Sequence, residues 1–108
     1  MVTNFFVMNT TIIPNDGLFH LKKISEMEAK HWIATKKWIS AVGHPATARV
    51  ISDLLDVNVP ADRIQVTFEP GDEALVFKLD TRLPEGKVLT VEELQDLPFS
   101  WKILKRIG

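Results

Sequence analysis

Short apolar runs separated by turn-forming residues indicate a chain that alternates between strands and helices. The apolar run within residues 4–9 predicts a buried first strand. The Pro-Asn-Asp-Gly turn over residues 14–17 predicts that residues 18–24 form a second strand that pairs back onto the first. Residues 37–42 predict a further strand, and Gly43 ends it.

Two helices carry start signals in the first half of the chain. Ser25 and Glu28 have the spacing of a capping box, which predicts a helix over about 26–34. Pro45 suits the first turn of a second helix, which is predicted to run to about Asp56. Apolar residues recur on one side of this second helix, so we expect it to bury one face.

The second half of the chain predicts a hairpin, a short helix and a last strand. Residues 64–68 alternate between apolar and polar, residues 69–72 carry a turn signal, and residues 74–77 continue as a buried strand. Residues 90–93 look like the cap of a third helix, and residues 101–107 predict a strand at the edge of the sheet. Strands interleaved with helices favour an α+β fold with a mixed sheet flanked by helices.

Composition limits the function classes. The 108 residues suit a single domain over 1–108, with 45% apolar and 25% charged residues as in ordinary globular proteins. The absence of cysteine excludes disulfides and a thiol nucleophile. The formal net charge of -1 argues against binding to duplex DNA, which favours a basic excess.

The first fifteen residues bear on localisation. They carry no charged side chain, so the basic start of a signal peptide is missing. The apolar run over residues 5–8 is too short to span a membrane. We therefore expect a soluble, cytoplasmic protein without a membrane partner.

The junction between the third predicted strand and the second helix carries the most informative chemistry. It places Gly43, His44 and Thr47 where the backbone N–H groups and dipole of a helix favour an anion, which makes all three candidate ligand contacts. A histidine there can exchange a proton with a phosphate leaving group. The alternative is that His44 only caps the helix.

Other candidate groups lie on predicted loops and strand ends. Arg82 presents paired donors that match a phosphoryl oxygen, and Glu85 could accept a hydroxyl proton or orient Arg82. The alternative for both is a solvated loop with a surface ion pair. Arg63, before the predicted strand at residue 64, could contact a second phosphate or be an exposed charge.

The residues after the first strand are a third candidate group. Asn9, Thr10 and Thr11 could bond a base or a sugar, or they could only satisfy a turn. His20 and His31 lack the spacing of metal ligands, so no metal site is predicted.

These motifs together resemble those of small viral and bacterial ring nucleases that degrade cyclic tetra-adenylate. That group includes the type III anti-CRISPR proteins of archaeal viruses and phages and the CRISPR ring nuclease 2-like proteins. The resemblance covers nearly the whole chain, and its motifs are residues 8–10, 14–17, 39–47, 62–64, 69–75 and 81–89.

The resemblance implies a homodimer that binds cyclic tetra-adenylate across its interface. It assigns catalysis to His44, Arg82 and Glu85 and a ligand contact to Arg63. Viral members also use a serine after the first strand, where this chain has Thr10 and Thr11.

The reaction implied by the resemblance needs neither metal nor cofactor. A ribose 2′-hydroxyl attacks the adjacent 3′-phosphate, and the product is a linear fragment with a cyclic phosphate end. Destroying the messenger switches off type III CRISPR effectors. The alternative function is a dimer that binds the cyclic oligonucleotide without cleaving it, as a sequestering protein or a sensor.

Overall fold

The structure, a computed structural model, describes residues 3–11, 15–80 and 90–108. These residues form five strands and three helices. The strands are β1 (Phe5–Met8), β2 (Phe19–Ile24), β3 (Trp38–Ser40), β4 (Glu73–Leu79) and β5 (Phe99–Arg106). The helices are α1 (Glu26–Thr35), α2 (Pro45–Leu55) and α3 (Val91–Gln95).

The strands form one mixed sheet in the order β2-β5-β4-β1-β3. β1 runs parallel to both of its neighbours, β3 and β4. β5 runs antiparallel to β2 and β4. The predicted α+β fold with a mixed sheet flanked by helices is therefore confirmed.

The prediction that β2 pairs with β1 is wrong. Both sides of β1 are taken by parallel neighbours, so β2 pairs with β5 instead. The predicted edge position of the last strand is wrong for the same reason, because β5 lies between β2 and β4. The edges are β2 and β3, and Lys22 and Lys23 on β2 are typical of strands that must avoid pairing with other chains.

The predicted hairpin is also wrong in its first strand. Both sides of β4 are occupied by β1 and β5, so residues 64–68 cannot pair with β4 as a hairpin strand. They cover the sheet face opposite the helices, where Val66 and Phe68 are buried. The turn over residues 69–72 is confirmed by a 2.9 Å hydrogen bond from the Asp72 N–H to the Glu69 carbonyl.

Two apolar clusters hold the layers together because successive strand residues point to opposite faces. Val7 and Leu75 pack in the cluster under the three helices, whereas Phe6 and Ala74 pack in the cluster under residues 64–68. All three predicted helices are present. No helix in residues 3–11, 15–80 or 90–108 is long and apolar enough to cross a membrane.

Candidate functional site

Three parallel strands end at the same side of the molecule. Because β3, β1 and β4 are adjacent and parallel, the segments that follow them leave from one edge of the sheet. These segments are 41–44 after β3, Asn9–Thr11 after β1, and Asp80 after β4. The Ala41 N–H donates to the Val7 carbonyl at 2.8 Å, which keeps the first two segments side by side. Ligands commonly bind at such carboxyl ends.

The loop after β3 is fixed by the segment that follows α2. The Ser40 hydroxyl donates to the Pro60 carbonyl at 2.5 Å. The Asp62 N–H donates to the Val42 carbonyl at 2.8 Å. These bonds bring the segment before Arg63 against the loop that leads to His44.

His44 is the N-cap of α2. Its Nδ1 accepts a hydrogen bond from the Thr47 N–H at 3.4 Å and lies 3.2 Å from the Thr47 hydroxyl oxygen. A ring nitrogen that accepts from an N–H carries no proton, so in the neutral ring this contact favours the tautomer with its proton on Nε2. The predicted position at the helix start is confirmed, and the cap is present. Nε2 is the ring nitrogen that the cap leaves for chemistry.

The start of α2 offers fewer anion-binding donors than its sequence suggests. Pro45 has no N–H, and the Thr47 N–H is directed at His44. The Ala46 N–H has no hydrogen-bond partner in the described part of the chain. The first turn of α2 contains no acidic residue, so the dipole end is not neutralised from within the helix.

Arg63 lies against the same loop. Its Nε donates to the Gly43 carbonyl at 3.0 Å, and the side chain is exposed. It forms no ion pair within residues 3–11, 15–80 and 90–108. A Cβ on Gly43 would lie 2.9 Å from Arg63 Cγ, so Gly43 makes room for the arginine stem. Arg63 is an exposed charge, but it does not lie at a strand end, because no strand begins at residue 64.

The remaining predicted residues divide into two groups. Asn9, Thr10 and Thr11 are half-buried directly after β1, at the edge that also carries His44. Arg82 and Glu85 lie outside the described residues, as does Pro14 of the first predicted turn, so their roles remain predictions.

Two side chains at this edge were missed by the sequence analysis. Ser40 fixes the loop before His44. Asp80 accepts a 2.9 Å hydrogen bond from the Ser100 hydroxyl, directly after β4. Both are polar residues at the end of an apolar strand, which is the signal that could have indicated them. In the described residues, no three His, Asp or Glu side chains group as metal ligands.

Comparison with known proteins places the chain among viral and bacterial relatives. It is 40% identical over 108 residues to the protein ORF117 of Acidianus two-tailed virus, covering 94% of this chain and 92% of that one. It is 38% identical over 100 residues to protein 26 of Sulfolobus islandicus filamentous virus, with coverages of 88% and 85%. YddF of Bacillus subtilis is 26% identical over 102 residues, with coverages of 93% and 94%.

A solved structure has the same fold. B116 of Sulfolobus turreted icosahedral virus superposes with a TM-score of 0.76 at 24% identity, covering 95% of this chain and 99% of that chain. The profile of one family, described as STIV B116-like, matches residues 5–101. The chain therefore belongs to the STIV B116-like family.

Proposed function

We propose that the protein is a metal-independent ring nuclease that opens cyclic tetra-adenylate and thereby switches off type III CRISPR effectors. The observation that carries the proposal is the shared edge of β3, β1 and β4. The segment after β1 and the loop that leads to His44 both leave from this edge, and the Arg63 side chain lies on that loop through its bond to the Gly43 carbonyl. The resemblance of the sequence motifs to ring nucleases supplies the substrate.

The reaction is an internal transesterification. A ribose 2′-hydroxyl attacks the adjacent phosphorus, the bond from phosphorus to the 5′-oxygen breaks, and a 2′,3′-cyclic phosphate forms. The leaving oxygen takes a proton from Nε2 of His44. Arg82 stabilises the charge that develops on the phosphoryl oxygens, and Glu85 accepts the hydroxyl proton or orients Arg82.

Ligand binding relies on a few placed groups because the net charge of -1 provides no general attraction for an anion. Arg63 supports a phosphate contact, since it is exposed and forms no ion pair in the described part of the chain. Gly43 and Thr47 flank the start of α2, and residues 9–11 follow β1, the strand beside β3. A two-fold homodimer would present two equal sets of these groups to a symmetric ring.

Incubation of the protein with radiolabelled cyclic tetra-adenylate in excess EDTA tests the proposal. We expect linear fragments that end in a cyclic phosphate. Tight binding without cleavage would favour the sequestering or sensor function. Neither binding nor cleavage would indicate that the motifs are structural, and loss of cleavage in EDTA with rescue by a divalent ion would refute the transesterification scheme.

Light scattering tests the assembly independently. We expect a dimer at the concentration at which the protein cleaves the ring. An active monomer would refute the two-fold arrangement of sites but leave the chemistry intact.

A further inference from the structure

Two polar groups of one residue reach the same ring nitrogen. The Thr47 N–H lies 3.4 Å from Nδ1 of His44, and the Thr47 hydroxyl oxygen lies 3.2 Å from it. Thr47 is buried, with 7% of its surface exposed, and the first turn of α2 holds its backbone. Nδ1 therefore has two fixed polar neighbours. A helix cap needs only the contact with the N–H, so the hydroxyl contact is additional.

The two groups suit different protonation states of the ring. An N–H can only donate, so it pairs with Nδ1 when that nitrogen carries no proton. A hydroxyl oxygen can accept, so it pairs with Nδ1 when that nitrogen is protonated. His44 forms no hydrogen bond or ion pair with a carboxylate in the described part of the chain. Arg63, on the Gly43 carbonyl, is a cation and cannot accept that proton.

We propose that Thr47 is a positioning residue that holds the His44 ring in each protonation state of the reaction. This inference rests on the proposed function. Before cleavage the ring is an imidazolium, its Nδ1–H donates to the Thr47 hydroxyl, and Nε2–H faces the leaving oxygen. When Nε2 gives its proton to that oxygen, the neutral ring still carries Nδ1–H and remains on the hydroxyl. The Thr47 N–H takes over when the ring returns to the tautomer with its proton on Nε2.

Without the Thr47 hydroxyl, the protonated Nδ1 of His44 faces only the Thr47 N–H. Both groups are hydrogen-bond donors, so they repel each other in the reactive state. The His44 ring then rotates to relieve this repulsion, and Nε2–H no longer points at the leaving oxygen. Misplacement of a reacting group by about 1 Å costs on the order of 100-fold in rate. The cap of the resting enzyme is unaffected, because it uses the backbone.

The test compares Thr47→Val, which removes the hydroxyl and keeps the shape and the N–H, with Thr47→Ser and with Thr35→Val on α1. For Thr47→Val we expect single-turnover cleavage to fall about 10- to 100-fold, and affinity for cyclic tetra-adenylate to fall much less than the rate. Thr47→Ser should restore most of the rate, and Thr35→Val should match the wild type. A substrate with sulfur as the bridging 5′-atom should cancel the defect, since its leaving group needs no proton. Equal losses of rate and affinity would make Thr47 a ligand contact and overturn the inference.

A second measurement works without substrate. In protein with ¹⁵N-labelled histidine under mildly acidic conditions, the Nδ1–H of His44 should exchange slowly with solvent in the wild type and in Thr47→Ser. It should exchange rapidly in Thr47→Val. Equal exchange in all three would overturn the role of Thr47 even in an active enzyme. Slow exchange in a wild-type protein that fails to cleave the ring would instead refute the proposed function.

Discussion

The starts of α1 and α2 solve the same local problem with different residues. Ser25 caps α1 in a reciprocal capping box with Glu28, and Glu26 adds a second acidic residue to the first turn. α2 is capped by His44 and continues with Pro45, and its first turn contains no acidic residue. The third helix follows the pattern of α1, with a capping box and two acidic residues in its first turn.

The difference separates a stabilising helix start from one that is open to a ligand. Carboxylates at the start of α1 neutralise the positive end of the helix dipole from within the chain. The first turn of α2 itself has no acidic residue, an exposed Arg63 lies on the preceding loop, and the Ala46 N–H has no partner in the described part of the chain. An anion at α2 would therefore supply what glutamates supply at α1.

The largest effect is expected when His44 is replaced by a residue that can still cap α2 but cannot donate a proton to the leaving group. Asparagine is a good N-cap but has no proton to transfer near neutral pH. In His44→Asn we expect the single-turnover cleavage rate to fall on the order of 100- to 10,000-fold, with little change in ring affinity or unfolding midpoint. A bridging-sulfur substrate should restore most of the rate.

The exposed His31 on α1 provides the matched control, because His31→Asn makes the same exchange away from the edge. Its cleavage rate should equal that of the wild type. If His44→Asn stays slow with the sulfur substrate, His44 binds phosphate and is not the general acid.

The next effect concerns the cation beside α2. Arg63→Ala removes a charged donor that has no ion-pair partner among the described residues, so ring affinity should fall roughly 10- to 100-fold, as for a charge-assisted hydrogen bond. Arg49→Ala removes an exposed arginine paired with Asp53 on α2 and should change affinity little. Equilibrium binding to the cleavage-deficient His44→Asn background measures both. If both substitutions weaken affinity equally, Arg63 contributes only nonspecific charge attraction and no specific phosphate contact.

The link between Gly43 and Arg63 adds a double-mutant test. A Cβ at Gly43 would displace the arginine stem, so Gly43→Ala should weaken affinity through Arg63. Combined with Arg63→Ala it should add almost nothing, because both changes remove one interaction. Fully additive losses would show that Gly43 contacts the ligand by itself.

A smaller effect is expected from giving α2 the first helical residue of α1. Pro45 is exposed, and Pro45→Glu places a carboxylate where α1 has Glu26. A dipole-end charge is worth about 0.3–1 kcal/mol, so ring affinity should fall roughly two- to fivefold and recover in high salt. Pro45→Gln is the neutral control. Equal losses in both variants would point to the lost proline and not to the charge.

The smallest effect on function belongs to α1. Ser25→Ala removes the hydroxyl that accepts from the Glu28 N–H, so the free energy of unfolding should fall by about 1 kcal/mol. Cleavage and affinity should stay at the wild-type level. A loss of cleavage in folded Ser25→Ala protein would show that the start of α1 also contributes to function and does not only stabilise the fold.

The helix starts were predictable because their signals are local. Ser25 with Glu28, Pro45, and Thr90 with Glu93 each act within one turn, and the structure has a helix at each. Strand partners depend on residues far away in sequence. The alternation over 64–68 fits an edge strand and also a segment that buries every second side chain against a sheet face.

The sequence by itself determined the α+β class, the three helix starts and the short strand β1, because hydrophobic periodicity and capping operate over a few residues. Only the tertiary structure decided that β1 is flanked by β3 and β4, and hence that Asn9 and His44 leave from one edge. It also placed Arg63 on the Gly43 carbonyl and divided the His44 ring into a capping Nδ1 and an available Nε2. These outcomes depend on which segments pair with each side of a strand. Segments from the whole chain compete for those positions, so local sequence patterns do not decide them.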